Sequence, residues 1–217
     1  MNTQLLVLAT APVPGRVMSR LCPPCTPQQA AEVAAGALAD TLRCGQHMAA
    51  ARRTVVLHGR YAPPAGWYTV AQHGEDRADR IAHAFADTAL PDIATLLIGA
   101  HTPQVTPGLL GSVSAALSQA DAVLGPADDG GWWALALRDP YHADLLRDAP
   151  PSTADSCEET VSVLRENGLR VRFAASLRGV DTPADARYVG ARCRPGAFTA
   201  AVRAHLQAAA PVPADAW

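Results

Sequence analysis

Short continuous apolar runs alternate with helix-start sequences along this chain, and this alternation constrains its fold more than any other feature. The first run, residues 4–9, is typical of a strand buried on both faces of a sheet. Similar runs occur at 54–57, 95–98 and 121–124, each followed by a polar loop. Strands that alternate with helices predict an α/β fold with a mostly parallel central sheet and helices on both faces.

Capping residues predict where the helices begin. Thr26 is placed to cap a helix, with Pro27 in its first turn and Gln29 able to reach back, whereas Gly168 ends another helix. The resulting prediction has strands at 4–9, 54–57, 68–71, 95–98, 121–124, 132–137 and 169–173, and helices at 27–50, 76–88, 106–119, 155–167, 183–189 and 196–207.

Composition indicates a globular protein and restricts its partners. The 217 residues are 49% hydrophobic and carry a formal net charge of −2, with no basic block that would bind nucleic acid as the main partner. The apolar run at 5–9 is too short to span a membrane. All 18 basic residues are arginine, so no lysine can form a Schiff base or contact a phosphate. We predict one domain over 1–207, with a frayed tail at 208–217.

The cysteines suggest a reducing compartment. There are five, an odd number without a disulfide framework, which predicts a cytoplasmic protein. Cys22 and Cys25 have the spacing of a redox motif or of half a metal site. No second ligand pair is visible, and we interpret the two thiols as incidental, with redox activity as the alternative.

Polar, glycine-bearing loops follow several predicted strands, where ligands bind in α/β sheets. The first loop contains Thr10, Gly15, Arg16 and Arg20, and its two guanidinium groups are forked donors suited to phosphate. Two solvated arginines on a surface loop are an equally good interpretation. A second loop brings Arg80 into the first turn of a predicted helix, where a basic residue does not serve the helix dipole.

Two further loops carry acids and a histidine. His101 follows the buried run at 95–98 after Gly99 and Ala100, and Asp128 and Asp129 lie beside paired glycines before Trp132. Such carboxylates can bind a cation or a sugar hydroxyl or act as a base, but they also occur in ordinary turns. Asp181 precedes another helix start and has a cap as its alternative interpretation.

Taken together, these loops resemble a known family. Ala11-Pro-Val-Pro-Gly-Arg16, Thr102-Pro103, Asp129-Gly-Gly131 and Val180-Asp-Thr-Pro183 occur in the order found in the small bacterial transferases grouped as domain of unknown function 2064. That family lies in the nucleotide-diphospho-sugar transferase (GT-A) superfamily and is distantly similar to phospholactate guanylyltransferases. The resemblance covers most of the chain and implies a Rossmann-like GT-A fold.

The resemblance also implies a site. It implies a nucleotide or nucleotide-sugar, a small-molecule acceptor, and Mg²⁺ or Mn²⁺ that bridges the phosphates. It matches Gly15, Arg16, Arg20, Gly74 and Arg80 to the nucleotide side, Asp129 to the acceptor side and Asp181 to the second metal position. From the same loops we also predict the following roles: nucleotide-binding Thr10 and Pro14; acceptor-binding Asp128, Gly130 and Trp132; metal-binding His101; catalytic Asp129 and His101. Packing in the core is the alternative for Trp132.

Two departures from the family bear on mechanism. Thr10 and Met18 stand where the family usually has lysine, and His101 stands where it has the metal-binding aspartate. Imidazole suits Mg²⁺ poorly. His101 could therefore bind Mn²⁺ or Zn²⁺, act as a base or phosphate contact without metal, or belong to a site that only binds. A hydrogen bond to a loop carbonyl is a further alternative.

Two functions remain open from the sequence. The first is a nucleotide-dependent transferase of the glycosyltransferase or nucleotidyltransferase type with a diverged metal and phosphate site. The second is a catalytically degenerate GT-A-fold protein that binds or scaffolds in a biosynthetic pathway. The oligomeric state is open as well, a homodimer being one alternative.

Overall fold

The computed structural model describes residues 2–148 and 156–207. In this part of the chain the strands form one seven-stranded sheet in the order β3-β2-β1-β4-β6-β5-β7. All pairs are parallel except those of β6, which runs antiparallel to both β4 and β5. The strands are β1 Thr3–Thr10, β2 Arg53–His58, β3 Tyr68–Ala71, β4 Ala94–Gly99, β5 Ala122–Pro126, β6 Trp132–Leu137 and β7 Val171–Phe173.

Helices connect most of these strands. They are α1 Pro27–Gln46, α2 Arg77–Thr88, α3 Pro107–Ala116, α4 Cys157–Glu166, α5 Pro183–Gly190 and α6 Ala197–Val202. The predicted capping box at the start of α1 is present, because the Thr26 and Gln29 side chains each bond to the other's backbone N–H. The α/β fold with a mostly parallel sheet is therefore confirmed.

The element boundaries differ from the prediction at several ends. α1 stops at Gln46 rather than near residue 50, and α6 passes into one π-helical turn, Arg203–Gln207. Two 3₁₀ segments, Ser19–Leu21 and Pro140–Asp148, were not predicted, since they carry no apolar periodicity long enough to identify. The predicted helix start at 155 and the tail at 208–217 lie outside the described residues, and the domain boundary at 207 stays a prediction.

Alternating side chains of the strands build a core on each face of the sheet. Leu5, Val7 and Ile98 pack with residues of α1 and α3 on one face, and Leu6 and Leu97 pack with residues of α2 and α4 on the other. A third cluster joins α1 to α5 and α6. The carboxyl end of α1 and the start of α6 are tied by Asp40, which accepts from the backbone N–H groups of Ala197 and Phe198 at 3.1 and 2.9 Å.

The strand directions decide which loops meet. β1 to β4 are parallel, so the segments that follow them emerge at one edge of the sheet. Because β6 is reversed, the turn between β5 and β6, residues 127–131, lies at this same edge. The loops that carry the predicted site residues therefore lie at one edge of the sheet. No helix in the described segments is long and apolar enough to cross a membrane.

Candidate functional site

A cavity of about 360 Å³ opens at the carboxyl ends of β1, β3 and β4. Three guanidinium groups line it, from Arg16, Arg77 and Arg80, together with Thr10 and His101. No aspartate or glutamate is among the described residues that line it. Its size falls in the range of small-molecule sites, and its charge suits an anion.

The first loop brings Arg16 to the cavity. Gly15 before it has a φ of +76°, a conformation that favours glycine, and Met18 beyond it is also left-handed at +46°. These two turns fold the loop back so that Arg16, Val17 and Met18 line the cavity beside the end of β1. Pro14, Gly15 and Arg20, which were also predicted to contact the nucleotide, lie outside the lining.

The loop from β3 to α2 holds Arg80. Gly74 has a φ of +131°, and its carbonyl oxygen accepts from Arg80 Nε at 3.3 Å. Asp76 caps α2 by accepting from Asp79 N at 2.8 Å. The Asp79 carboxylate accepts from the backbone N–H of Glu75, which lowers the pKa of Asp79. The acids of this loop thus serve its geometry, and Arg80 faces the cavity.

Among the lining residues, the polar side chains of Gln72 and Arg77 were not predicted. Gln72 donates from Nε2 to the carbonyls of Ala9 and Val56 at 2.7 and 2.9 Å, so it joins the ends of β1 and β2. Arg77 lies within 6.0 Å of the Trp132 ring centroid, and burial lowers the pKa of its guanidinium. Arg77, like Arg80, is a basic residue in a first helical turn, where it does not serve the helix dipole.

His101 is folded back between two glycines. A Cβ at Gly99 would lie 2.4 Å from its Cε1, and a Cβ at Gly179 would lie 3.2 Å from its Cδ2. The carbonyl of His101 accepts from Val180 N at 2.8 Å, which joins this loop to the segment that carries Asp181. Burial, and then the charge of Arg77, lowers the pKa of His101, so its imidazole is neutral at neutral pH.

The turn after β5 presents its acids to solvent. Asp128 accepts from Ser176 Oγ at 2.9 Å, and Asp129 accepts from Gly131 N at 3.0 Å. Gly130, at the tip, has a φ of +89°. The charge of Asp129 raises the pKa of both Arg77 and His101 against the lowering by burial, so it lies within electrostatic reach of each.

Trp132, predicted on the acceptor side, lies in the core. Its side chain is buried and its Nε1 donates to Thr160 Oγ1 at 3.2 Å, which leaves it little surface to offer an acceptor. Trp133 is buried on the opposite face, where its ring occupies the place of a Cβ at Gly125. Alternation along β6 thus buries both indoles, one on each face.

The residues present do not fit the divalent cation that the family resemblance implies. Asp181 is in an ion pair with Arg20, and the helix cap beside it is Thr182 rather than Asp181. Over residues 2–148 and 156–207, no group of three or more His, Cys, Asp or Glu side chains is arranged to hold a metal ion. His101 is neutral and adds no negative charge, and hard cations prefer anionic oxygen ligands.

All five cysteines are free thiols. Burial raises the pKa of Cys25, and the neighbouring Cys22 raises it further, so the Cys25 thiol is protonated at neutral pH. This state favours the interpretation of the pair as incidental.

Solved structures share this fold. A protein from Desulfovibrio desulfuricans G20 assigned as a nucleotide-diphospho-sugar transferase is 25% identical over 85% of each chain, with a TM-score of 0.74. Rv0371c from Mycobacterium tuberculosis H37Rv, in complex with manganese, is 19% identical over 87% of this chain and 98% of its own, with a TM-score of 0.56. A 2-C-methyl-D-erythritol 4-phosphate cytidylyltransferase from Thermus thermophilus is 17% identical over 93% of this chain and 99% of its own, with a TM-score of 0.53.

The search of curated proteins found no significant match. A family described as "Uncharacterized protein conserved in bacteria (DUF2064)" matches residues 28–153, which is more than half of the chain. The match includes β2 to β6 and the loops that hold Arg77, Arg80, His101 and Asp129. This chain belongs to the DUF2064 family.

Proposed function

We propose that this protein is a nucleotide-dependent transferase, of the glycosyltransferase or nucleotidyltransferase type, that binds its nucleotide in the arginine-lined cavity. The observation that carries the proposal is the cavity itself: three arginines line it at the carboxyl ends of parallel strands, and no carboxylate among the described residues lines it. Ligands bind at this edge in open α/β sheets.

The similar structures support the proposal. They include a protein assigned as a nucleotide-diphospho-sugar transferase and a cytidylyltransferase, and both classes act on nucleotides with linked phosphates. Arg16 and Arg80 would donate to phosphate oxygens from opposite sides of the cavity, since they come from the loops after β1 and β3. Gly15 and Gly74 would let backbone approach the nucleotide closely, and Arg20 with Pro14 would border the opening.

The turn after β5 is the proposed acceptor side. Asp128, Asp129 and Gly130 are exposed at the sheet edge that also carries the cavity. In a nucleotidyl transfer the acceptor oxygen would bond to the α-phosphorus, and the bond from that phosphorus to the bridging oxygen would break. Pyrophosphate leaves with the bonding electrons, and the proton of the acceptor passes to a base. Asp129 is the candidate base and His101 the second candidate catalytic residue.

A second function is favoured by one observation. Asp181, implied as a metal ligand, is held by Arg20, and the described residues do not assemble a metal-binding group. A protein of this fold that binds nucleotide without transferring any part of it would have this arrangement. Both functions include nucleotide binding, so a measurement of turnover distinguishes them.

Calorimetric titration with GTP, CTP, UTP, UDP-glucose and GDP-mannose tests the proposal. We expect one of these ligands to bind with a Kd in the micromolar range, near −8 kcal/mol. ³¹P NMR of the bound nucleotide with a pool of small hydroxyl and phosphate acceptors then follows release of pyrophosphate or nucleoside diphosphate. Binding with release supports a transferase, binding without release supports the second function, and no binding across the panel contradicts both.

A further inference from the structure

We infer that this protein has a second binding site, in a cavity beside the end of α1, which takes a small molecule with a phosphate group on a partly apolar body. This second cavity is separate from the nucleotide cavity, since none of the described residues that line one also lines the other. The inference therefore goes beyond the proposed function, and either can fail without the other.

The second cavity has a volume of about 380 Å³ and lies where three segments meet. These segments are the last turns of α1, the residues that lead into α3 (103–107), and the connection between α5 and α6. Asp40 lines the cavity and ties α1 to α6, through its bonds to the backbone N–H groups at the start of α6. The walls are thus held by the fold, and the volume falls in the range of small-molecule sites.

The charges at the second cavity favour an anion. Arg43, Arg192 and Arg194 line it, and among the described residues the one acid that lines it is Asp40. Both oxygens of the Asp40 carboxylate are already bonded, to Arg43 Nη2 at 2.7 Å and to two backbone N–H groups. Arg43 therefore offsets the charge of Asp40, and Arg192 and Arg194 leave a positive excess. A phosphate monoester carries close to two negative charges at neutral pH, which matches this excess.

Two of these arginines are positioned before any ligand binds. Asp40 holds Arg43 in an ion pair. The Arg192 guanidinium lies 3.7 Å from the Tyr188 ring centroid, and its Nη1 donates to Tyr188 O at 3.2 Å. A cation that is restrained in this way loses less freedom when an anion binds. Arg194 is exposed, and its guanidinium makes no hydrogen bond or ion pair within residues 2–148 and 156–207, so its donors remain for a ligand.

Apolar side chains make up another part of the lining. Pro103, Val105 and Pro107 come from the segment that leads into α3, and Pro195 comes from the connection between α5 and α6. A ligand with a ring or a short aliphatic group would bury that group against these side chains while its phosphate contacted the arginines. Inorganic phosphate would make only the contacts with the arginines, and an uncharged ring would make only the apolar contacts.

Calorimetric titration of the wild-type protein with phenyl phosphate, inorganic phosphate and phenol is the first test. We expect phenyl phosphate to bind with a Kd of about 0.1 mM. Each of the other two probes supplies only one kind of contact, so we expect it to bind at least about tenfold more weakly. Absence of phenyl phosphate binding, or an equal Kd for either of the smaller probes, would overturn the inference.

Substitution of Arg194 is the second test. We expect Arg194→Gln to weaken phenyl phosphate binding by about tenfold, because a forked donor is lost. Arg172→Gln is the matched control, since Arg172 is an exposed arginine on β7 that lines neither cavity. Arg16→Gln alters the nucleotide cavity alone, and in both of these variants the Kd should stay within about twofold of the wild type. An unchanged Kd in folded Arg194→Gln, as checked by circular dichroism, or a loss confined to Arg16→Gln would overturn the inference.

Amide ¹H–¹⁵N NMR of the wild-type protein locates the probe and needs no substitution. We expect phenyl phosphate to shift the signals of residues 104–106, 192 and 194, which line the second cavity. A nucleotide should instead shift those of residues 16–18 and 99–101, which line the nucleotide cavity, so the two sites are followed independently. Shifts by phenyl phosphate that leave the lining of the second cavity unaffected would overturn the inference and would not bear on the proposed function.

Discussion

Arginines at the two edges of the same sheet are used in opposite ways. At the amino ends of β1 and β4, Arg52 donates to the side chain of Gln4 and to the carbonyl of Thr88, and Gln4 Nε2 donates to Thr88 O and Thr95 Oγ1 at 2.9 Å each. At the carboxyl ends, Arg16 and Arg80 face an open cavity. Within residues 2–148 and 156–207, the hydrogen bonds of the Arg80 guanidinium are long ones to backbone carbonyls, at 3.3 and 3.5 Å.

This difference in hydrogen bonding distinguishes an arginine that stabilises the fold from one that is available to a ligand. Gln4 is fully buried, so the network around it compensates polar groups that water cannot reach. Arg16 and Arg80 are exposed at the cavity, and a ligand there would receive donors that the fold does not use. Residue type alone therefore does not identify a binding residue, and the destination of its hydrogen bonds does.

Removing the buried network should give the largest change. Gln4→Leu leaves the Thr95 hydroxyl and one Arg52 donor without their partner, and we expect the free energy of unfolding to fall by about 3 kcal/mol. Urea denaturation measures this change, and nucleotide affinity should stay as in the wild type. Thr54→Val is the matched control: its hydroxyl is buried with no hydrogen-bond partner among the described residues, so its loss should cost nothing. If Gln4→Leu lowered the free energy of unfolding by less than about 1 kcal/mol, the network at the amino ends of the strands would not differ in stability from the cavity edge.

A cavity arginine should show the reverse pattern. Arg16→Gln removes a forked donor from the phosphates, and we expect nucleotide affinity to fall by about tenfold, or ~1.4 kcal/mol. The free energy of unfolding should stay within about 0.5 kcal/mol of the wild type, because the Arg16 side chain is exposed. Calorimetry and urea denaturation of the same preparation measure both quantities. Arg203→Gln, an exposed arginine away from the cavity, should change neither. If Arg16→Gln destabilised the fold without weakening binding, Arg16 would be structural.

Arg170 sharpens the comparison, because it is exposed and yet paired with a carboxylate. Arg170 donates from its backbone and guanidinium nitrogens to Asp121 at 2.9–3.1 Å, and these bonds lower the pKa of Asp121 to about 2. The stabilisation of the fold by this ion pair is therefore complete above the ordinary carboxylate pKa near 4, and it is lost as the pH falls through about 2.

Replacement of Asp121 should give the smallest change. We expect Asp121→Asn to lower the Tm near pH 7 by less than about 3 °C, since exposed ion pairs contribute little. The difference from the wild type should narrow below about pH 4. Calorimetric melts across this pH range test the prediction. A fall in stability as large as that expected for Gln4→Leu would mean that ion pairing, rather than burial, distinguishes the structural arginines from those at the cavity.

Much of the fold could be predicted from local sequence. The runs at 4–9, 68–71 and 132–137 became strands because continuous apolar segments bounded by turn residues have few alternatives. Thr26 and Thr106 mark helix starts for the same local reason. The reversed direction of β6 could not be seen, since strand order and direction depend on pairings between residues far apart in the chain.

The candidate site was predicted in part. Arg16, Arg80, Thr10 and His101 all line the cavity, because each lies at the end of a strand, in the loop that follows a strand, or at a helix start. Arg77 was missed although its helical position matches that of Arg80. The sequence left two positions open for Trp132, an acceptor contact or the core, because its partner Thr160 is 28 residues away and belongs to another element. Local pattern thus locates loops, and packing between distant elements decides which side chains face the ligand.

The reversed strand has an evolutionary consequence. β5 and β6 form a hairpin whose tip, residues 127–131, lies at the same edge as the arginine cavity, whereas the cavity opens at the ends of β1, β3 and β4. On the acceptor side that we propose for this tip, mutations or insertions would alter which small molecule is admitted while the strands beside the cavity keep their register. A fold of this kind could diversify its chemistry by exchanging one exposed turn, and descendants of a common ancestor would then share a cavity while differing in what they modify.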